Sequence, residues 1–200
     1  MSTGKIIIAI SICLTLTLLY MPLATAGTDV KITNIKVGSG KEYKVGDGPF
    51  DLNKKYYIDR DYVATSMPDE IKGAQWIMTA NDDKSSSGAD FLTFEIDKPA
   101  IVWMAHDSRG EKEKGGVPPK WLSDEFKHHP DLKIDVTDTN MGFFTLWEKE
   151  FKKGKVTLGG NTDPPATGQG SNYIVLIMSG TAQAVQLQGK LGVTWGTIKK

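Results

Sequence analysis

Four clusters of charged and amide side chains stand out near strand ends, the first three of them where an apolar run stops. They are Asp59-Arg60-Asp61, Asn81-Asp82-Asp83, Asp107-Ser108-Arg109, and Asn161 inside the loop sequence GGNTDPPATGQG. Arginine and aspartate at such positions form bidentate pairs, either with each other or with the hydroxyls and carboxylates of a ligand. Asn81-Asp82-Asp83, followed by Lys84, three serines and Gly88, is rich in the oxygen donors that calcium prefers. The order differs from that of an EF-hand loop, and Asn and Asp also cap their own backbone in turns, so calcium and plain turn chemistry both account for it. Trp121 follows Pro118-Pro119-Lys120 in the same long excursion as Arg109. An indole there either stacks on a sugar ring while neighbouring Asp, Asn and Arg take its hydroxyls, or packs into the core. For Trp76, Trp103 and Trp147, set inside apolar runs, the core is the reading.

Signatures of catalysis are missing. The sequence has no GxSxG, HExxH, Walker-type glycine loop or dinucleotide fingerprint. Asp59, Asp61 or Asp107 acting as acid and base is an alternative with no local motif of its own to support it. Adjacent His128 and His129 point in different directions on a strand or a helix, which argues against one metal ion held by both.

The elements that must position these residues are short. Apolar runs recur at Val30–Val37, Lys55–Ile58, Ala74–Thr79, Phe91–Ile96, Ile101–Ala105, Phe143–Trp147, Val156–Leu158 and Tyr173–Met178, broken by Gly, Pro, Asn and Asp. Leu92, Phe94 and Ile96 alternate with Thr93 and Glu95, the period of a half-buried strand. Ile101–Ala105 and Ile174–Met178 are continuous, as expected of central strands covered on both sides. The pattern predicts an all-β, antiparallel β-sandwich with a short helix near residues 118–127, where prolines precede acidic residues. The stretch from Asp107 to Asp135 reads as a long loop excursion, a usual place for binding residues. Near the end, Val185 and Leu187, then Leu191, Val193 and Trp195, alternate across Gly189-Lys190, which predicts a C-terminal hairpin over residues 181–200.

The N-terminus reads as a signal peptide. Lys5 precedes the apolar run Ile6 to Leu19, and Ala24-Thr25-Ala26 supplies small residues before a cleavage site after Ala26. Residues 27–200 then form one domain. Cys13, the single cysteine, falls within the leader, so the exported domain must be held by its core alone. The chain carries 24 Lys plus Arg and 24 Asp plus Glu, and removing Lys5 with the leader leaves a formal charge of minus one. With no basic surplus, nucleic acid is a poor partner. A secreted or periplasmic protein with no membrane association after leader cleavage is the expectation.

The succession YYIDRDYVATSMPDEIKGAQWIMTANDDK, FLTFEIDKPAIVWMAHDSR, PPKWL, FKKGKVTLGGN and YIVLIM resembles β-sandwich modules of carbohydrate-binding type appended to secreted polysaccharide lyases and glycoside hydrolases. The likeness covers residues 42 to 178. It implies a noncatalytic accessory module with a galactose-binding-like or jelly-roll sandwich, with Asp59, Arg60, Asn81, Asp82, Asp107, Arg109, Trp121, Leu122 and Asn161 at the matching positions. The charged insert Glu111-Lys112-Glu113-Lys114 and the terminal hairpin depart from that pattern. The function expected is therefore binding of a polysaccharide or glycan through Arg60, Asp82, Asp107, Arg109, Trp121 and Asn161. Calcium at Asn81, Asp82 and Asp83 is a further expectation, and a secreted enzyme a further partner. The alternative is a structural or adhesive surface subunit that self-associates through its terminal hairpin by strand addition.

Overall fold

A computed structural model describes residues 30–180. The expected signal peptide and the expected C-terminal hairpin lie outside the described residues. The strands are β1 (Ile32–Val37), β2 (Lys44–Val45), β3 (Ala64–Ser66), β4 (Gln75–Met78), β5 (Leu92–Ile96), β6 (Ala100–Asp107), β7 (Lys127–Val136), β8 (Phe143–Phe151), β9 (Gly154–Leu158) and β10 (Ile174–Ser179), with one α-helix, α1 (Lys120–Glu125). They form a β-sandwich. A three-stranded sheet in the order β1-β5-β9 faces a curled seven-stranded sheet in the order β2-β4-β10-β6-β8-β7-β3, and neighbouring strands are antiparallel throughout.

The two continuous apolar runs sit at the centre of the large sheet because they have an apolar layer on each face. Val102 and Met104 of β6, with Val175 and Ile177 of β10, point into the core between the sheets, where they meet Leu92, Phe94, Val156 and Leu158. Ile101, Trp103 and Ala105, with Ile174, Leu176 and Met178, point the other way into a second cluster built with Phe50, Tyr56, Tyr57 and Ile71. Each fully buried aliphatic side chain contributes about 1.5–3 kcal/mol relative to an exposed one. Two such layers hold the fold without disulfides. Trp76, Trp103 and Trp147 are buried, as their places inside strands predict.

Three expectations about elements change. Lys55–Ile58 is not a strand: Lys55 and Tyr57 make isolated bridges to Val63 and Thr79 while their segment lies over the second core. The excursion after β6 ends at Phe126, because residues 127–136 are strand β7, paired with β8. β7 escapes a hydrophobic-alternation reading because most of its side chains are exposed or half-exposed and because Pro130 falls within a register irregularity between His129 and Lys133. The helix is also shorter than its predicted range, six residues behind Pro119. Among the described residues, no helix is long and apolar enough to cross a membrane.

Candidate functional site

The pairing registers put one end of several strands together. Ile77 of β4 is opposite Val175, Ala105 of β6 is opposite Ile174, and Leu158 of β9 is opposite Leu92. The segments following β4, β6 and β9 and preceding β10 therefore meet, and all six predicted ligand residues lie in or next to them.

The loop from Gly159 to Tyr173 is their common partner. Asn161, fully buried, donates its amide to Lys84 O at 2.8 Å and Ser171 O at 3.2 Å, while its own N–H reaches Ser86 Oγ at 3.0 Å. Asn172 N donates to Asn81 Oδ1 at 3.1 Å, and Asn172 Nδ2 donates to Ala80 O at 2.9 Å and to Tyr43 Oη at 3.2 Å. Glycines at 159 and 160 allow the loop to come this close. A Cβ on Gly160 would stand 2.3 Å from Ser87 Cα, and one on Gly159 would stand 2.4 Å from the Trp121 ring. Trp121 is half-buried: its indole N–H donates to Gly160 O at 3.0 Å, and its ring meets Phe126 and Tyr173 edge-on.

Asp107 and Arg109 form a bidentate pair with each other. Asp107 is fully buried, and its two oxygens accept from Arg109 N, Nε and Nη2, from Gly170 N at 2.8 Å and from Ser171 N at 2.9 Å. Arg109 also donates to Ser171 Oγ and Asn140 O. Its hydrogen bonds to the Asp107 carboxylate raise the guanidinium's pKa.

The turn over residues 81–85 is fastened by two carboxylates. Asp59 accepts the N–H groups of Asn81 and Asp82 at 2.8 and 2.9 Å. Asp83 Oδ2 accepts from Ser39 Oγ and Tyr43 Oη, and its Oδ1 accepts from Lys41 Nζ. Burial pushes the Asp83 carboxyl up, but these donors outweigh it and hold the pKa below 3.8. Asn81, Asp82 and Asp83 thus each have a side-chain oxygen engaged by a different protein donor. Arg60 is the outward member. It joins Asp82 Oδ1 at 2.5 Å and Asp59 O at 2.7 Å with 35 % of its side chain exposed, and Asp82 is 53 % exposed. The structure therefore gathers the predicted residues at one end and divides them: Arg60 and Asp82 face solvent, Trp121 is half-covered, and Asp107 and Asn161 are inside with Arg109 closing over them.

A second cluster, which sequence reasoning missed, borders this end. Glu111, in the charged insert, is 1 % exposed. Its Oε1 accepts from Thr145 Oγ1 at 2.8 Å and Trp147 Nε1 at 3.0 Å and lies 2.7 Å from His106 Nδ1. Burial pushes this carboxyl up, yet the hydrogen bond and charge of His106, with the other two donors, keep its pKa below 4.5. His128 and His129 diverge as a strand requires. His128 stacks on Trp147 at 4.1 Å, on the Glu111 side, whereas His129 faces Trp103 and Glu148 on the other face. Glu111, Glu113, Lys114, Lys133, Phe143 and Thr145 line a cleft of about 380 Å³. An alternating E-K-E-K run carries no local sign that its first glutamate will be covered.

No protein-family model matches the chain, and no curated protein matches it. Among solved structures, a β-glucuronidase from glycoside hydrolase family 2 is similar with a TM-score of 0.61 at 20 % identity, over 73 % of this chain and 14 % of that one. A glycoside hydrolase family 138 enzyme targeting pectin rhamnogalacturonan II gives a TM-score of 0.49 at 14 % identity, over 76 % of this chain and 17 % of that one. The chain thus spans about one seventh of the length of the β-glucuronidase. At this identity the likeness is one of fold: the sandwich is shared with a segment of the family 2 β-glucuronidase.

Proposed function

We propose that this protein is an exported, noncatalytic β-sandwich that binds a polysaccharide or other glycan at the loop end carrying Arg60, Asp82 and Trp121. The observation that supports a carbohydrate-related role is the sandwich shared with a segment of a family 2 β-glucuronidase at a TM-score of 0.61. In this reading Arg60 and Asp82, exposed and already paired, exchange part of their mutual contact for sugar hydroxyls, and the uncovered part of the Trp121 ring supplies an apolar surface. Asp107, Arg109 and Asn161 hold the loops that carry them.

For Asp59 and Asp107, support of the loops is favoured over acid–base chemistry. A general acid or base needs a carboxyl that reaches the substrate, whereas Asp59 and Asp107 spend both oxygens on backbone N–H groups or on Arg109. Glycans bearing uronic acids lead the panel to test, because the similar enzyme is a β-glucuronidase and because Lys84 stands exposed in the same turn, where Lys41 and Arg60 are paired with Asp83 and Asp82. The test is electrophoretic retardation of the purified protein in gels cast with uronate-containing and neutral polysaccharides, with and without calcium. Retardation by at least one polymer, lost in Arg60→Ala, is the expected outcome; free migration in all of them refutes the proposal.

A further inference from the structure

Glu111, Glu113 and His128 each offer one ligand atom within 4.8 Å of the other two, at the edge of the cleft. They come from separate pieces of chain, the turn after β6 and strand β7, so their convergence is a product of the fold. We propose that they bind a divalent transition-metal ion of the zinc type.

Three features of the structure carry this. Glu111 is fixed on one side only: Oε1 takes all three contacts from His106, Thr145 and Trp147, and Oε2 is turned toward His128 Nε2 at 3.8 Å. That separation is too long for a hydrogen bond and suits two atoms that share an ion, since ligands about 2.0–2.1 Å from zinc lie at most about 4.2 Å apart. His128 Nε2 is shielded from solvent and has no hydrogen-bond partner among the described residues. A buried polar atom left this way costs free energy that a ligand would offset. Finally, Trp147 orients both groups, stacking on the His128 ring within 13° of parallel while donating to Glu111. Supporting contacts of this kind fix the ligands of protein metal sites.

The donor set indicates the ion. One imidazole with two carboxylates suits zinc and its neighbours, whereas calcium takes six or more oxygens. Glu113 is exposed on the turn Lys112–Lys114 and has the rotamer freedom to close the remaining gap. Charge does not oppose binding: Glu111, Glu113 and Asp131 line the cleft against Lys114 and Lys133, and both lysine ammoniums lie over the Phe143 ring.

The test is calorimetric titration of Zn²⁺ into protein stripped with a chelator, with Ca²⁺ in parallel, on the wild type and on Glu113→Gln, His128→Gln and His129→Gln. Saturable binding of one Zn²⁺ is expected, weakened at least about tenfold by Glu113→Gln and by His128→Gln and unchanged by His129→Gln. Glu113 is exposed, so its variant folds and keeps the experiment informative even if His128→Gln does not. Absence of stoichiometric Zn²⁺ binding, or binding that survives Glu113→Gln and falls with His129→Gln, overturns the proposal.

Discussion

Replacing Asp107 by alanine separates a strut from a ligand contact. In the wild type this carboxylate is fully buried and receives three N–H groups of Arg109 together with the backbone N–H groups of Gly170 and Ser171. Asp107→Ala leaves a guanidinium and three backbone donors without their acceptor, so the loss belongs with broken buried ion pairs, about 3–5 kcal/mol. Arg109→Ala is milder. The carboxylate keeps its backbone donors, and the arginine side chain is 34 % exposed, so the expected loss is about 1.5 kcal/mol, the low end for hydrogen bonds to a charged group. Urea unfolding, followed by tryptophan fluorescence, measures both. Asp107→Ala should show a large loss and Arg109→Ala a smaller one, with the double variant close to Asp107→Ala. An Asp107→Ala protein within about 1 kcal/mol of the wild type would refute the strut. If that protein also failed to bind a glycan retained by the wild type, Asp107 would be a ligand contact.

The other predictions concern the same loop end. Arg60→Ala should cost about 1 kcal/mol or less in urea unfolding, because the bridge to Asp82 is exposed, while abolishing glycan retardation. Gly160→Ala, whose new methyl group would meet the backbone of Ser86 and Ser87, should destabilise by about 1–3 kcal/mol and shift the amide resonances of both loops. Acid should weaken the fold in a defined window. Asp83 and Glu111 both ionise below their ordinary values of 3.8 and 4.5, so their contribution is complete above those values and is lost as pH falls through the lower folded ones. Thermal midpoints between pH 7 and pH 2.5 should therefore fall in two stages, first below about pH 6.5, where burial keeps the proton off His128, and then more steeply below about pH 5. Tyr43→Phe, which deletes one donor to Asp83, should shrink the loss below pH 4.

Much of the fold is legible in the sequence because burial there leaves a local trace. The unbroken runs at Ile101–Ala105 and Ile174–Met178 follow from two apolar layers, and the alternation at Leu92, Phe94 and Ile96 follows from one. Strand β7 leaves no such trace: Lys127, Asp131 and Lys133 face solvent, and its pairing with β8 is a backbone property. The clusters at Asn81, Asp107 and Asn161 are legible because they follow strands β4, β6 and β9, whereas Asp59-Arg60-Asp61 follows a segment that makes only isolated bridges. Their division into outward and inward members is not legible, because an aspartate that faces water and one that accepts from five N–H groups have the same letter. Glu111 is the extreme case. Its covering depends on His106, Thr145 and Trp147, which arrive from two other strands, and a charge run in sequence resembles a solvated turn.

Backbone amide chemical-shift mapping with the retarded polysaccharide, or an oligosaccharide cut from it, tests the proposed binding site most directly. The account predicts perturbations concentrated at residues 59–61, 81–88, 121 and 159–163, with the three-stranded sheet silent. Perturbations confined to other surfaces, or none at saturating sugar, would contradict it.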